Sequence, residues 1–183
     1  MGPQQHGFVN AVGIDLYGRL LADEIERQRG GRAPSAVSDP DPVLELPVSA
    51  YLPDDYLPSE AERIAFYKRL LDAPPAGLPS LREELEDRCG RLPPPAETLF
   101  RVAALRHRAR RHGAVHVGLH GDALEVRLAP KSKVPQDVVP RLLQAFGPRL
   151  SFLPGPPDGL RLEGPFPEGP LAAAESVLSL MGE

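Results

Sequence analysis

Proline and glycine occur so often in this chain that they limit the length of its helices and strands. The 183 residues include 23 prolines and 17 glycines. Proline lacks the amide hydrogen that helices and sheets use, and glycine favours turns and helix ends. The chain is therefore expected to form many short elements joined by stiff connections. Hydrophobic residues make up 42% of the chain and charged residues 25%, so a buried core can still form.

Charge and cysteine content argue against several classes of protein. The formal net charge of −4 does not favour a dedicated nucleic-acid-binding protein. Cys89 is the only cysteine, so no internal disulfide can form and a reducing compartment is favoured. No apolar run approaches the roughly 20 residues that span a bilayer, and the N-terminus lacks the pattern of a signal peptide. We therefore expect a cytoplasmic protein that has no membrane partner.

The N-terminal part is predicted to be separate from the rest of the chain. Apolar residues recur at helical spacing over residues 8–29, and two glycines follow them. Residues 31–43 are rich in proline, serine, glycine and aspartate, which is typical of a linker. The predicted organisation is therefore an N-terminal segment over 1–30, this linker, and one domain over 44–183.

The remainder mixes strand and helix patterns. Residues 43–52 alternate as a strand does, and Pro47 favours an edge position. Capping boxes at Ser59 and Ser80 predict the starts of two helices. Further patterns predict helices over 95–112, 135–146 (bent at Pro140) and 172–181, a hairpin over 114–128, and strands over 150–153 and 160–164. This order predicts an α+β fold with a small, mostly antiparallel sheet packed by several helices and preceded by a separate N-terminal helix.

Asp54 and Asp55 are adjacent carboxylates in the frame Pro-Asp-Asp-Tyr. Such a pair could serve as acid and base or hold a metal ion, which would make the chain an unrecognised hydrolase. Adjacent side chains on an extended chain point in opposite directions, however, and proline followed by aspartate is typical of a turn. The turn interpretation is favoured.

No catalytic residue, metal site or cofactor is predicted from the motifs. The four histidines His107, His112, His116 and His120 are spaced as metal ligands on a helix would be, but Gly113 interrupts that helix. The sequence contains neither a GxxxxGK[ST] phosphate loop nor a GxSxG nucleophile elbow. Catalysis by this chain alone is therefore not expected.

Two charged helices are candidate binding surfaces. In the arginine-rich helix over 101–112, Arg106 and Arg110 could contact nucleic acid, although its positive charge is spread around the helix. The second helix carries the densest acidic group, which includes Glu83, Glu84 and Asp87. By pattern alone a solubilising face is favoured over a docking surface for arginines of a partner.

Two longer segments carry a resemblance to a known family. "LPVSAYLPDDYLPSEAERIAFYKRLL" and "LREELEDRCGRLPPPAETLFRVAALRHRAR" closely resemble the C-terminal domain of bacterial transcription-repair coupling factors. The family has a Leu-Pro strand, a Pro-Asp-Asp turn, a Tyr-Arg/Lys-Arg-Leu helix and a Glu-Leu-x-Asp-Arg-Phe-Gly segment, where Cys89 replaces the usual phenylalanine. The strong part covers about residues 44–112.

The N-terminus is similar to the end of the family's translocation motif. In "GPQQHGFVNAVGIDLYGRLL", Gln5 and Gly7 match the motif, whereas Pro3 and His6 depart from it. The resemblance implies that Gln5 and Gly7 couple the motor to DNA tracking. It also implies a fragment of a larger protein, so ATP and magnesium would belong to motor domains upstream and this fragment would need no cofactor.

The resemblance further implies a regulatory role. Full-length members are ATP-dependent translocases on duplex DNA that displace stalled RNA polymerase and recruit nucleotide excision repair. Their C-terminal domain docks on the N-terminal module of the same protein, which would otherwise bind UvrA, and so acts as an autoinhibitory lid. By position, the docking residues are Glu84 and Asp87, with Glu83 beside them. The alternative is a DNA-contacting accessory domain that uses the helix over 101–112.

Overall fold

The computed structural model of the chain describes residues 41–130, 132, 134–155 and 158–182. These residues form five α-helices and one five-stranded sheet, which confirms the α+β class. The elements in chain order are β1 (Val43–Glu45), α1 (Glu60–Asp72), α2 (Leu78–Cys89), α3 (Pro94–Arg111), β2 (Ala114–His120), β3 (Ala123–Leu128), α4 (Val139–Phe146), β4 (Leu150–Leu153), β5 (Gly159–Glu163) and α5 (Pro170–Leu180). The predicted helix over 8–29 lies outside the described residues.

The described residues fall into two compact units. The first comprises residues 48–104, and the second comprises residues 41–47 and those from 105 onward. The three-part division into an N-terminal segment, a linker and one domain over 44–183 stays a prediction. None of the helices among the described residues is long and apolar enough to cross a membrane.

Helices α1 and α2 of the first unit begin in different ways. The Ser59 hydroxyl caps α1 by accepting a hydrogen bond from the Glu62 amide at 3.3 Å, as the capping box predicts. The start predicted for α2 at Ser80 is wrong, because a 3₁₀ turn over Pro75–Gly77 starts the helix earlier, at Leu78. α1 buries two aromatic side chains and a leucine, and α2 buries three leucines, namely Phe66, Tyr67, Leu70, Leu78, Leu81 and Leu85.

The segment before α1 is a turn held by both backbone and side-chain hydrogen bonds. The Leu57 amide donates to the Pro53 carbonyl at 3.0 Å, which places Asp54 and Asp55 in an exposed turn and confirms that interpretation. The Tyr56 hydroxyl donates to the Gly90 carbonyl at 2.6 Å, at the end of α2. The buried amide of Leu52 donates to the Tyr67 hydroxyl at 2.7 Å. These bonds connect the turn to both helices.

The sheet of the second unit has the order β1-β2-β3-β5-β4. β1 runs parallel to β2, and the other neighbouring strands are antiparallel, so the sheet is mostly antiparallel as predicted. β1 lies at the edge but is shorter than the predicted strand over 43–52. Pairing stops at Glu45, two residues before Pro47, which has no amide to donate to a ladder.

The core of the second unit lies on one face of this sheet. Leu124, Val126 and Leu128 of β3 are all 1% exposed or less. α5 covers this face and buries Leu171, Ala174, Val177 and Leu178. α4 begins at Val139, so Pro140 occupies the first turn, where a missing amide costs nothing. The bend predicted at Pro140 was therefore wrong.

His112 follows α3 and packs against the end of the chain. A Cβ added at Gly182 would come within 2.5 Å of its Cε1 atom. Burial and, secondarily, the charge of Arg111 lower the pKa of His112, although a hydrogen bond with the Leu178 backbone acts in the opposite direction. The fold therefore favours the neutral ring.

We expect Tyr67→Phe to lower the free energy of unfolding by about 1–3 kcal/mol, because the buried amide of Leu52 loses its acceptor. Urea denaturation followed by circular dichroism measures this change. Tyr51→Phe is the control, since Tyr51 is only half-buried and its hydroxyl bonds to none of the described residues. Equal losses in the two variants would show that the hydroxyl of Tyr67 contributes nothing specific.

We expect stability to decrease as the pH falls through about 6.5, because the unfolded chain then takes up a proton that folded His112 resists. The decrease should end once the pH is below the folded-state pKa. Thermal denaturation from about pH 8 to pH 5 measures this dependence. His112→Gln should flatten it, whereas His120→Gln, at an exposed position, should not. The same pH dependence in both variants would contradict the assignment.

Candidate docking surface on the acidic helix

Helices α1 and α2 are tied together by two ion pairs. Arg69, in the last turn of α1, donates from Nη1 to Oε1 of Glu84 at 2.6 Å and from Nη2 to Oε2 at 2.5 Å. Arg88, in the last turn of α2, donates to Oε1 of Glu62 at 2.9 Å. Glu62 lies in the first turn of α1, so the two helices run antiparallel. The bidentate pair fixes the rotamer of Glu84.

The pair with Arg69 also sets the ionisation of Glu84. The hydrogen bonds from Arg69 lower the pKa of the Glu84 carboxyl below its ordinary value. The same bonds raise the pKa of Arg69. Both side chains remain largely exposed, at 49% for Arg69 and 41% for Glu84. Glu84 is therefore a solvated, permanently charged carboxylate at neutral pH.

Glu83 and Asp87 differ from Glu84 because they form no ion pair with the described residues. Both are exposed on α2. Their helix neighbour Glu86 is engaged instead by Arg82, at 3.3 Å. We call Glu83, Glu84 and Asp87 the acidic surface. In it, Glu83 and Asp87 are open, meaning exposed and without an ion pair to the described residues, whereas Arg69 holds Glu84 in place.

The acidic surface can bind a guanidinium group. Glu84 and Asp87 are three positions apart on a helix and so lie on neighbouring turns of one face. A carboxylate has about four acceptor sites, so a second guanidinium can begin to bond Glu84 before Arg69 is released. Arginine is the side chain whose planar fork matches such carboxylates. The sequence pattern did not reveal Arg69, which lies 15 residues before Glu84 and reaches it only through helix packing.

The arginine-rich helix is α3, and its two candidate residues are in different situations. Arg106 is ion-paired with Asp41, to which its Nε atom donates at 3.2 Å, and its side chain is 21% exposed. Arg110 is exposed. A phosphate would have to displace Asp41 to reach Arg106, so nucleic-acid binding by this pair stays a prediction that these contacts do not favour.

Two of the histidines singled out by the sequence, His116 and His120, lie side by side. His116 contacts Glu45, with 3.1 Å between Nε2 and Oε2, and its ring packs edge-on against His120. The described residues contain no cluster of three or more histidine, cysteine, aspartate or glutamate side chains that could hold a metal. Gln5 and Gly7 lie outside the described residues, so their motor-coupling role stays a prediction.

We expect Arg69→Gln to raise the pKa of Glu84 toward its ordinary value of about 4.3, because the charged donor is lost. A carbon-detected NMR titration of the Glu84 carboxyl measures the shift. The stability that the pair contributes should be present above that value and disappear as the pH falls through the folded-state pKa. Arg91→Gln is the control, since exposed Arg91 pairs with none of the described residues. An unchanged Glu84 pKa in Arg69→Gln would contradict the assignment.

Comparison with known proteins gives consistent matches. The family model of the TRCF domain matches residues 46–139, which include α1, α2, α3 and the β2–β3 hairpin. The transcription-repair-coupling factor of Escherichia coli K12 is 36% identical over 116 residues, 62% of this chain and 10% of that protein. The protein of the same name from Mycobacterium tuberculosis is 37% identical over 139 residues, 71% of this chain and 11% of that protein. That of Bacillus subtilis is 31% identical over 138 residues, 75% of this chain and 12% of that protein.

A solved structure supports the fold. The crystal structure of a C-terminal domain of transcription-repair coupling factor superposes with a TM-score of 0.62 and 20% identity, covering 78% of this chain and 94% of that chain. The chain spans only 10–12% of the length of the relatives named above, so their whole-protein activity does not transfer with the match. The matched range shows that this chain belongs to the TRCF domain family, and its fold is that of the solved C-terminal domain.

Proposed function

We propose that this domain is an autoinhibitory protein-interaction module. It docks on the N-terminal UvrA-binding module of its own protein, an ATP-dependent DNA translocase that couples transcription to nucleotide excision repair, and masks that module. The observation that carries the proposal is the acidic surface on α2, where Glu83 and Asp87 are open and Arg69 holds Glu84 in place. A surface of this kind is suited to arginines on a partner.

The energetics of this surface suit a lid that must open. Exposed ion pairs contribute little individually, typically below about 1 kcal/mol, so a contact built from a few of them is reversible. Docking within one chain does not need high affinity, because the linker supplies a high effective concentration. Only a contact that differs between closed and open states can regulate, and the exchange of Arg69 for a partner arginine at Glu84 would be such a contact.

The remaining partners follow from the same proposal. UvrA and RNA polymerase would be reached indirectly, after release of the lid, and duplex DNA would be bound by the motor domains. ATP and magnesium would act in those domains and not in this one. The names of the relatives support this setting, since they describe proteins that couple transcription to repair.

The test is calorimetric binding between this chain and the separately expressed N-terminal module. We expect Asp87→Arg to weaken binding at least about tenfold, because it removes an open carboxylate and repels the partner's arginines. Glu84→Arg should weaken binding as well, but it also places two arginines together and so costs stability. Asp87→Arg is therefore the cleaner variant.

Asp122→Arg is the matched control, because Asp122 is exposed in the β2–β3 turn of the second unit and, like Asp87, forms no ion pair with the described residues. Binding that survives Asp87→Arg unchanged would refute docking through the acidic surface. If no binding is detected with separate pieces, joining them by a flexible linker restores the tethered concentration. A linked protein whose UvrA binding is no weaker than that of the isolated N-terminal module would then refute autoinhibition.

A further inference from the structure

An apolar recess lies in the second unit, away from the acidic surface along the chain. It forms where the end of α4, strand β5, the loop over 164–169 and the first turns of α5 meet, and its volume is about 180 Å³. Its apolar walls come from Phe146, Leu162, Pro165, Phe166, Ala172 and Ala173. We call it the apolar recess.

The size of the apolar recess restricts its ligand. Cofactor and metabolite sites usually measure about 300–1,000 Å³, which is larger than this recess. A cavity of about 150 Å³ lined by apolar side chains holds one benzene ring. The recess therefore fits a single bulky apolar side chain, such as a phenylalanine or leucine of another protein, better than it fits a cofactor.

Arg149 gives the recess a charged rim. Its Nε donates to the Glu163 carbonyl at 2.8 Å and its Nη2 to the Pro165 carbonyl at 2.7 Å, and its guanidinium lies 5.7 Å from the centre of the Phe166 ring. A guanidinium has five N–H groups, of which these bonds use two, so three remain. Arg149 forms no ion pair with the described residues. Arg149 is therefore a cation held in position, with three N–H donors still available to a ligand.

Glu168 limits how much negative charge a ligand can carry. It lines the same recess and is exposed. A single carboxylate can pair with Arg149, whereas a polyanion such as nucleic acid would also face the charge of Glu168. Phosphate-backbone binding needs a cluster of cations, and Arg149 is the only cation among the residues that line this recess.

We propose that the apolar recess binds a peptide segment of a partner protein in which one bulky apolar residue is next to one carboxylate. The apolar side chain enters between Phe146, Phe166 and Ala173, and the carboxylate pairs with Arg149 at the rim. This binding site is independent of the acidic surface and does not require the docking proposed for α2.

The first test is an NMR titration of the full chain with the N-acetylated, C-amidated peptide Gly-Phe-Glu-Gly. Saturable shifts should appear at the amides of Phe166, Gly169 and Ala173, with a dissociation constant in the range of about 0.1–5 mM that is typical of an isolated short peptide contact. Gly-Phe-Gln-Gly should bind at least about fivefold more weakly, because it lacks the charge for Arg149. Gly-Ala-Glu-Gly lacks a side chain that fills the recess and should bind no more tightly than Gly-Phe-Gln-Gly.

Variants of the chain test the two halves of the site separately. Arg149→Gln should remove the preference for the Glu peptide over the Gln peptide, while Arg141→Gln, which removes the same charge from an exposed position on α4, should preserve it. Ser176→Leu should block the apolar side chain, since Ser176 lines the recess and is exposed, so the fold tolerates the change.

Three outcomes would overturn the proposal. The absence of saturable shifts at the recess up to about 10 mM peptide would mean that no such site exists. Equal affinity for the Glu and Gln peptides would mean that Arg149 recognises no carboxylate. Binding of a short oligothymidylate at these amides in place of the peptides would assign the recess to nucleic acid.

Discussion

Side chains supply several of the hydrogen bonds that hold the segment before α1, whose residues 46–59 form no strand. A buried amide or carbonyl without a partner is costly, so this backbone must be satisfied locally. The Tyr67 hydroxyl accepts from the Leu52 amide, the Tyr56 hydroxyl donates to the Gly90 carbonyl, and Arg63 donates to the Leu57 carbonyl at 2.6 Å. The same segment thereby holds the middle of α1 and the end of α2. These hydrogen bonds fix the position of α2 and therefore the orientation of the acidic surface. The Pro-Asp-Asp-Tyr turn serves this structural role, and its two carboxylates face water.

The ion pairs between α1 and α2 orient side chains, but they are not what holds the two helices together. Their side chains are between 41% and 51% exposed, and pairs this exposed add little to stability. Their effect is on geometry and ionisation, since Arg69 orients Glu84 and keeps it charged. The leucines and aromatic residues beneath supply the burial that keeps the helices together, with Leu70 and Leu85 at 1% and 2% exposure. Burial of the apolar faces thus stabilises the helix pair, and the charged side chains remain exposed to solvent.

Local sequence patterns predicted which helices and strands form better than they predicted where those elements begin and end. Alternation gave the β2–β3 hairpin, and Ser59 and Gly90 marked the start of α1 and the end of α2 as predicted. Three errors involve proline, whose effect depends on its position. Pro47 follows a strand of only three residues, the turn over Pro75–Gly77 starts α2 before Ser80, and Pro140 lies in the first turn of α4 and does not bend it. The acidic residues of the proposed docking surface could be named only from the resemblance to the family. The pairs Arg69–Glu84 and Arg106–Asp41 could not be predicted, because only tertiary packing joins residues 15 and 65 positions apart.

The exposure of the Arg69–Glu84 pair matters for the proposed lid. If the pair were buried, a partner arginine would have to break a contact whose loss costs several kcal/mol, and docking would be slow or absent. In the exposed pair, a partner guanidinium would replace another at the same carboxylate, so the proposed exchange would be nearly balanced in free energy. Glu83 and Asp87, which are exposed, would then favour the docked state, because they would gain a partner only there. Docking would therefore respond to small changes in effective concentration or salt, and the same change in conditions that weakens rim contacts would release the lid.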